Sequence, residues 1–167
     1  MISIVLIDPR FPHNIGAAVR AASCFGAGRV IWSGTRAKDL IDAAKRIPRE
    51  ERMKGYREVE VKWSNRPLDG TKPAETVCVE ILPGTVPLPY FMHPLNATYV
   101  FGPEDGSVPK GIRELCGHFI QIPSYHCLNL AACVYIVLYD RMLRSYDGND
   151  SYPVPTPTRA MQFFQED

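Results

Sequence analysis

Three short stretches of this 167-residue chain combine polar side chains with glycines in patterns that could do chemistry. The first is Asn14-Ile-Gly16-Ala-Ala-Val-Arg20. Asn14 suits a helix N-cap, and Gly16 and Arg20, four residues apart, share one helix face. A guanidinium stays charged at any ordinary pH and can stabilise developing negative charge, although a capped helix with a surface arginine would look the same. The second is Phe101-Gly102-Pro-Glu104-Asp-Gly106. Two glycines around a carboxylate leave backbone amides and carbonyls bare enough to hold a small ligand, or simply make a tight turn. It is neither GxGxxG nor a GK[ST] phosphate loop, so neither a dinucleotide nor a nucleoside triphosphate is indicated. The third is Ile122-Pro123 followed by Ser124-Tyr-His126-Cys127-Leu128-Asn129. Pro123 stops strand pairing, and the next residues open a helix whose first amides point outward.

Other chemistries fit poorly. Adjacent His126 and Cys127 rarely align a thiol with an imidazole for proton transfer, and nothing orients them as a third partner would. His13, His93 and His118 have no metal-ligand spacing, so no metal is expected. There is no GxSxG elbow of an α/β hydrolase.

The elements that must carry these residues follow from hydrophobic runs and breakers. Strands are expected at Ser3–Ile7, Val30–Trp32, Val59–Trp63, Thr76–Ile81, Ala97–Phe101 and Phe119–Ile122. Helices are expected at Ile15–Phe25 (stopped by Gly26 and Gly28), Ala37–Arg46, from Pro109 to Leu115, and Leu128–Leu143. Strands alternating with helices imply an α/β domain with a mostly parallel sheet, in which ligands sit beyond the carboxyl ends of the strands. The loops after Ile7, Phe101 and Ile122 lie at such ends. The expected organisation is one domain over residues 1–150 and a proline-bearing tail, Ser151–Asp167.

Composition sets outer bounds. Hydrophobic residues are 46% and charged residues 22%, as in a globular protein. No apolar run reaches membrane-spanning length, and Ile2–Ile7 lacks the basic flank of a signal peptide. Five cysteines, an odd count without a CxxC pair, argue against a disulfide framework and for a reducing cytoplasm. The net charge of +1 is uneven: up to Arg66 there are 13 Lys/Arg against 7 Asp/Glu, and beyond it 6 against 11. The basic excess is densest over Arg36–Arg57, including Arg46, Arg49, Arg52 and Lys54. Clustered cations suit a phosphate backbone. Interleaved Asp39, Asp42, Glu50 and Glu51 also suit a solvated helix face, the better account on charge alone.

In their order and separation the three stretches resemble the SpoU/TrmH-type branch of the SPOUT superfamily, S-adenosylmethionine-dependent RNA ribose 2′-O-methyltransferases. The resemblance runs from Ile4 to about Tyr146. It implies a C-terminal trefoil knot, which periodicity could not show, and a homodimer whose site draws on both subunits. It implies that Arg20 is the catalytic arginine and that Asn14 and Asn129 belong to the same catalytic group. It assigns the cofactor pocket to Glu80, Gly102, Glu104, Gly106, Ile122, Cys127, Leu128 and Asn129, with the main chain of Ile122 holding the adenine. Two departures stand out. Cys127 replaces the usual serine, a weaker hydrogen-bond donor. Gly106 lies one residue early for the family's FGxExxGL.

With this resemblance the basic stretch becomes an RNA-facing surface, with Arg20, Arg46, Arg49, Arg52 and Lys54 as its contacts. The compact length resembles that of minimal tRNA enzymes acting at the anticodon wobble position, so tRNA is the expected substrate. An rRNA 2′-O-methyltransferase, or a non-catalytic RNA-binding protein of the same fold, are the alternatives.

Overall fold

The computed structural model describes residues 1–47 and 58–145. Arg49, Arg52 and Lys54, and the expected tail Ser151–Asp167, lie outside the described residues.

Seven strands form one sheet: β1 (Ile2–Leu6), β2 (Arg29–Trp32), β3 (Glu60–Trp63), β4 (Thr76–Val79), β5 (Val86–Pro87), β6 (Ala97–Phe101) and β7 (His118–Gln121). Their spatial order is β3-β2-β1-β6-β4-β7-β5, and every neighbouring pair is parallel. The helices are α1 (Pro12–Cys24), α2 (Arg36–Ala44), α3 (Lys110–Arg113) and α4 (Leu130–Ser145). The expected α/β class and parallel sheet are observed. β5, two residues with a proline at the sheet edge, was not expected from the sequence. It is too short to show alternation, and proline is tolerated there because an edge strand can spare the missing N–H.

The central strands are mostly apolar because both faces of the sheet are covered, with Ser3, Thr76 and Thr98 as buried polar exceptions, and alternate residues serve different cores. Ile4, Leu6, Val77, Tyr99, Phe101 and Ile120 join α1, α2 and α4 in the larger cluster. Val5, Ile7, Cys78 and Val100 point the other way, onto Leu68, Val108 and Cys116. Cys78 and Cys116 are buried free thiols, and the hydrogen bond with Cys116, followed by burial, pushes the Cys78 thiol up. Helix α1 presents buried Ala17, Ala18, Ala21 and Ala22 and packs closely on α4, with Phe25 edge-on to Tyr135 and Tyr139.

Helix α1 begins earlier than expected. Pro12 takes the first helical position, where its fixed φ fits and its missing N–H costs nothing. Asn14 is therefore in the first turn and is not the N-cap. The helix after Pro109 is a single turn, ending at Arg113.

A polar cluster fastens α4 to the segment before β6. His93, its side chain 5% exposed, lies 2.6 Å from the Tyr99 hydroxyl through Nδ1 and 2.9 Å from Asp140 Oδ2 through Nε2. Arg141 donates to the Tyr99 oxygen and to the carbonyls of Pro94 and Leu95. Arg144 donates to Asp140 and to the Pro89 carbonyl. Tyr99 and Asp140 thus sit at the two nitrogens of the His93 ring. Burial lowers the His93 pKa, against the pull of Asp140. Burial would raise the Asp140 carboxyl, but bonds from Arg144 and His93 outweigh it and hold it low. Both groups bind fewer protons folded than unfolded, so stability is complete above a pH of about 6.5 and declines as pH falls through the folded-state pKa values. The melting temperature is expected to fall between pH 7 and 5. His93→Gln should be less stable at pH 7 but show a shallower fall, as scanning calorimetry of both proteins across that range will reveal.

Candidate active site

Because β1, β6, β4 and β7 are adjacent, the loops leaving their carboxyl ends meet on one edge of the sheet. The direction in which strands are added to the sheet reverses here, since β2 and β3 lie on one side of β1 and the later strands on the other. Such switch points open a crevice. Here the crevice is a hollow of about 700 Å³, counting the solvent it opens to.

Seven of the eight expected pocket residues line it: Glu80, Gly102, Glu104, Gly106, Ile122, Cys127 and Leu128. The eighth, Asn129, stands beside it as the cap of α4, its Oδ1 accepting from the amides of Ala131 at 2.9 Å and Ala132 at 3.2 Å. The sequence reading missed the apolar walls, Val79, Ile81, Phe101, Pro103, Leu130 and the stem of Cys133. Those residues read only as strand ends and helix start. Strand alternation marks which of them turn away from the cores, but not that three strand ends adjoin.

One chain of hydrogen bonds joins all three sequence stretches. The Glu104 carboxylate accepts from the amides of Arg10 (2.8 Å) and Phe11 (3.4 Å) and from Asn14 Nδ2. Asn14 Oδ1 accepts in turn from Asn129 Nδ2 at 3.2 Å. Glu104 therefore does the capping expected of Asn14, supplying an acceptor and a negative charge at the start of α1. A second carboxylate steadies the other wall: Glu80 accepts from the Val108 amide at 2.8 Å and from the Ile81 amide at 3.0 Å. This brings the loop end back beneath Gly102, where a Cβ would stand 3.0 Å from the Val108 nitrogen. That close approach favours glycine at 102, since any side chain would push the Val108 backbone by a few tenths of an ångström.

A third tie closes the rim. Arg36 Nη1 donates to both oxygens of Asp105 at 2.7 and 3.0 Å, while its Nε lies 2.9 Å from Asp8 Oδ2 and its Nη2 donates to the Asp8 carbonyl. The bond from Arg36 holds the Asp105 carboxyl below the usual carboxylate range. Asp8 is in the left-handed region at φ 44°, facing Gly34 at φ 78°, where a Cβ would collide with the Asp8 carboxylate. Arg36, grouped by sequence with the basic stretch, thus serves an internal clamp. Arg46 is exposed, as an RNA contact requires.

Arg20 is half-buried on α1 and is not one of the residues lining the hollow. Cys133 reaches the hollow with its thiol pushed up to about 11 by burial, which leaves it a poor nucleophile. Among the described residues no group of His, Cys, Asp and Glu could hold a metal ion, and no helix is long and apolar enough to cross a membrane.

The central chain of bonds is directional, so charge at its middle should break it. Asn14→Asp would set a carboxylate against Glu104 and is expected to cost about 2–3 kcal/mol by urea unfolding. Adding Glu104→Gln, which offers a donor to the new acid, should recover about half of that, and a double mutant no more stable than Asn14→Asp alone would contradict the assignment.

Known proteins place this arrangement in context. A curated tRNA (cytidine/uridine/adenosine-2′-O-)-methyltransferase TrmJ from Pseudomonas aeruginosa is 28% identical over 164 residues, covering 83% of this chain. The chain spans 59% of that relative's length. An AdoMet-bound rRNA methyltransferase from Sinorhizobium meliloti shares the fold with a TM-score of 0.66 at 18% identity, over 87% of this chain and 57% of that one. A structure solved to study the 2-OH methylation of C/U34 on tRNA has a TM-score of 0.62 at 19% identity, covering 87% of this chain and 98% of its own. The model of one family spans residues 1–139, taking in the glycine loop, the asparagine pair and most of the closing helix. On that span the chain belongs to the SpoU rRNA Methylase family.

Proposed function

We propose that the protein is an RNA ribose 2′-O-methyltransferase that uses S-adenosylmethionine and acts on tRNA in the cytoplasm. The observation that carries this reading is the single hydrogen-bonded chain Glu104–Asn14–Asn129, which gathers three loops around a hollow with apolar walls and two carboxylates. The residues present suit such a cofactor. Val79, Leu128 and Leu130 offer flat apolar contact for an adenine, the main chain at Ile122 offers the polar edge, and Gly102 keeps the floor open. Glu80 and Glu104 line the same hollow and supply negative charge that would suit a sulfonium. When bound, the cofactor supplies an electrophilic methyl group.

This chain's own residues must do the rest. A ribose hydroxyl is a poor nucleophile at neutral pH, and Arg20 is the group assigned to stabilise its developing negative charge. Asn14 and Asn129 hold the opening turns of α1 and α4 in fixed register, and alignment of the acceptor supplies much of the remaining acceleration.

Arg20 belongs to a helix outside the hollow's wall, which favours a site completed across a homodimer. Exposed Ile136, Tyr139 and Leu143 give α4 an apolar face for that contact. The fastening of α4 to residues 89–95 fits the knotted chain end implied by the resemblance. Exposed Arg46 and the basic residues that follow it would face the RNA.

Arg20→Ala is expected to lower methyl transfer to tRNA by about 10²-fold or more, with affinity for S-adenosylhomocysteine within about twofold by calorimetry. Mapping ribose methylation by mass spectrometry in RNA from cells with and without the protein would identify the nucleotide. If no ribose methyl group disappears, the reading is wrong.

A further inference from the structure

The turn entering α1 carries side chains that neither the fold nor the pocket uses. The N-cap of α1 is Phe11, which makes no side-chain cap bond; Ser, Thr, Asn or Asp would serve the helix better by about 1 kcal/mol. The residue is 45% exposed. Yet the backbone beneath it is held, because Glu104 takes the amides of Arg10 and Phe11. An exposed aromatic ring on a pinned backbone breaks a local rule without a gain in packing, as residues kept for binding often do.

Its neighbours are of matching chemistry. The His13 ring, also exposed, lies 6.2 Å from the Phe11 ring at an interplanar angle of 10°. At that separation the parallel rings cannot cover each other's faces: either the gap exceeds contact distance or the sideways offset exceeds a ring. Open π-surface is left in both cases. The Arg10 guanidinium stands over the Phe11 ring, 5.2 Å from its centroid, and is paired with Asp105 at 3.6 Å. A flat aromatic pair with a cation beside one ring suits an unstacked nucleobase and its phosphate. The shelf adjoins the hollow through Glu104, which lines the one and bonds the backbone of the other.

We infer that Phe11 and His13, with Arg10 over the Phe11 ring, form a stacking shelf for an RNA base next to the ribose that is methylated. This rests on the RNA methyl-transfer reading for the ribose, but its test reads RNA binding. Filter retention of labelled bulk tRNA should show Phe11→Ala weakened about tenfold, the scale of one lost base stack. Phe11→Leu, of similar bulk without a π-face, should be equally weak, and Phe11→Trp should bind like the wild type. Melting temperature and S-adenosylhomocysteine affinity should be unchanged in all three. The salt dependence of binding should be unaltered in Phe11→Ala and reduced in Arg10→Ala, which loses a phosphate contact.

Leucine or alanine variants that bind as tightly as the wild type would overturn the shelf. So would a tryptophan variant that binds as poorly as alanine, or a wild-type protein that does not retain tRNA. If the wild type transfers no methyl group to RNA but the Phe11 series behaves as described, methyl transfer falls and the shelf stands.

Discussion

The site depends on one side-chain amide facing two ways. Asn14 donates to Glu104 through Nδ2 and accepts from Asn129 through Oδ1, so one short amide serves two partners from two separate atoms. Each partner is already committed elsewhere: Glu104 caps α1 and Asn129 caps α4. The bond chain therefore couples two helix starts and a glycine loop, so none of the three can shift without leaving polar groups unpaired. That coupling lets three loops act as one wall, although more than 100 residues separate the first from the last.

Around this centre the ties are arranged in tiers. Glu80 anchors the far end of the glycine loop and Arg36 clamps its exposed side, while Asp8 and Gly34 accept left-handed backbone so that the clamp can close. The carboxylates and the clamping arginine that sequence reading offers as ligand contacts are thus occupied in holding backbone. Preorganisation of this kind is what a site relying on alignment needs.

Much of the fold was legible because the strands obey simple rules. Ile4-Val-Leu and Tyr99-Val-Phe101 are apolar on both faces, as a covered parallel sheet demands, and Pro123 and Gly26 stop their elements on schedule. The pocket list was legible through motif order, and seven of its members do line the hollow. Other features were hidden for physical reasons. The role of Asn14 changed because Pro12, two residues earlier, sets the helix start. Arg36 looked like part of a basic surface because its acidic partners, Asp8 and Asp105, are remote in sequence. Strand order, and with it which loops meet, is a property of long-range pairing that local periodicity does not encode.

The place of β6 in the sheet has a consequence for how the molecule assembles. It arrives sixth along the chain yet lies between β1 and β4, pairing Ile2 with Ala97 on one side and Thr76 with Thr98 on the other. Until those five residues insert, the halves of the sheet have no common seam and two apolar strand edges stay open. A nascent chain must keep them apart from other chains for the time it takes to synthesise roughly a hundred residues. Closing a loop of that span is slow compared with forming any helix here. The glycine loop that forms the floor of the hollow follows β6 directly, so the wall of the hollow and the seam of the sheet must come into being in the same late event.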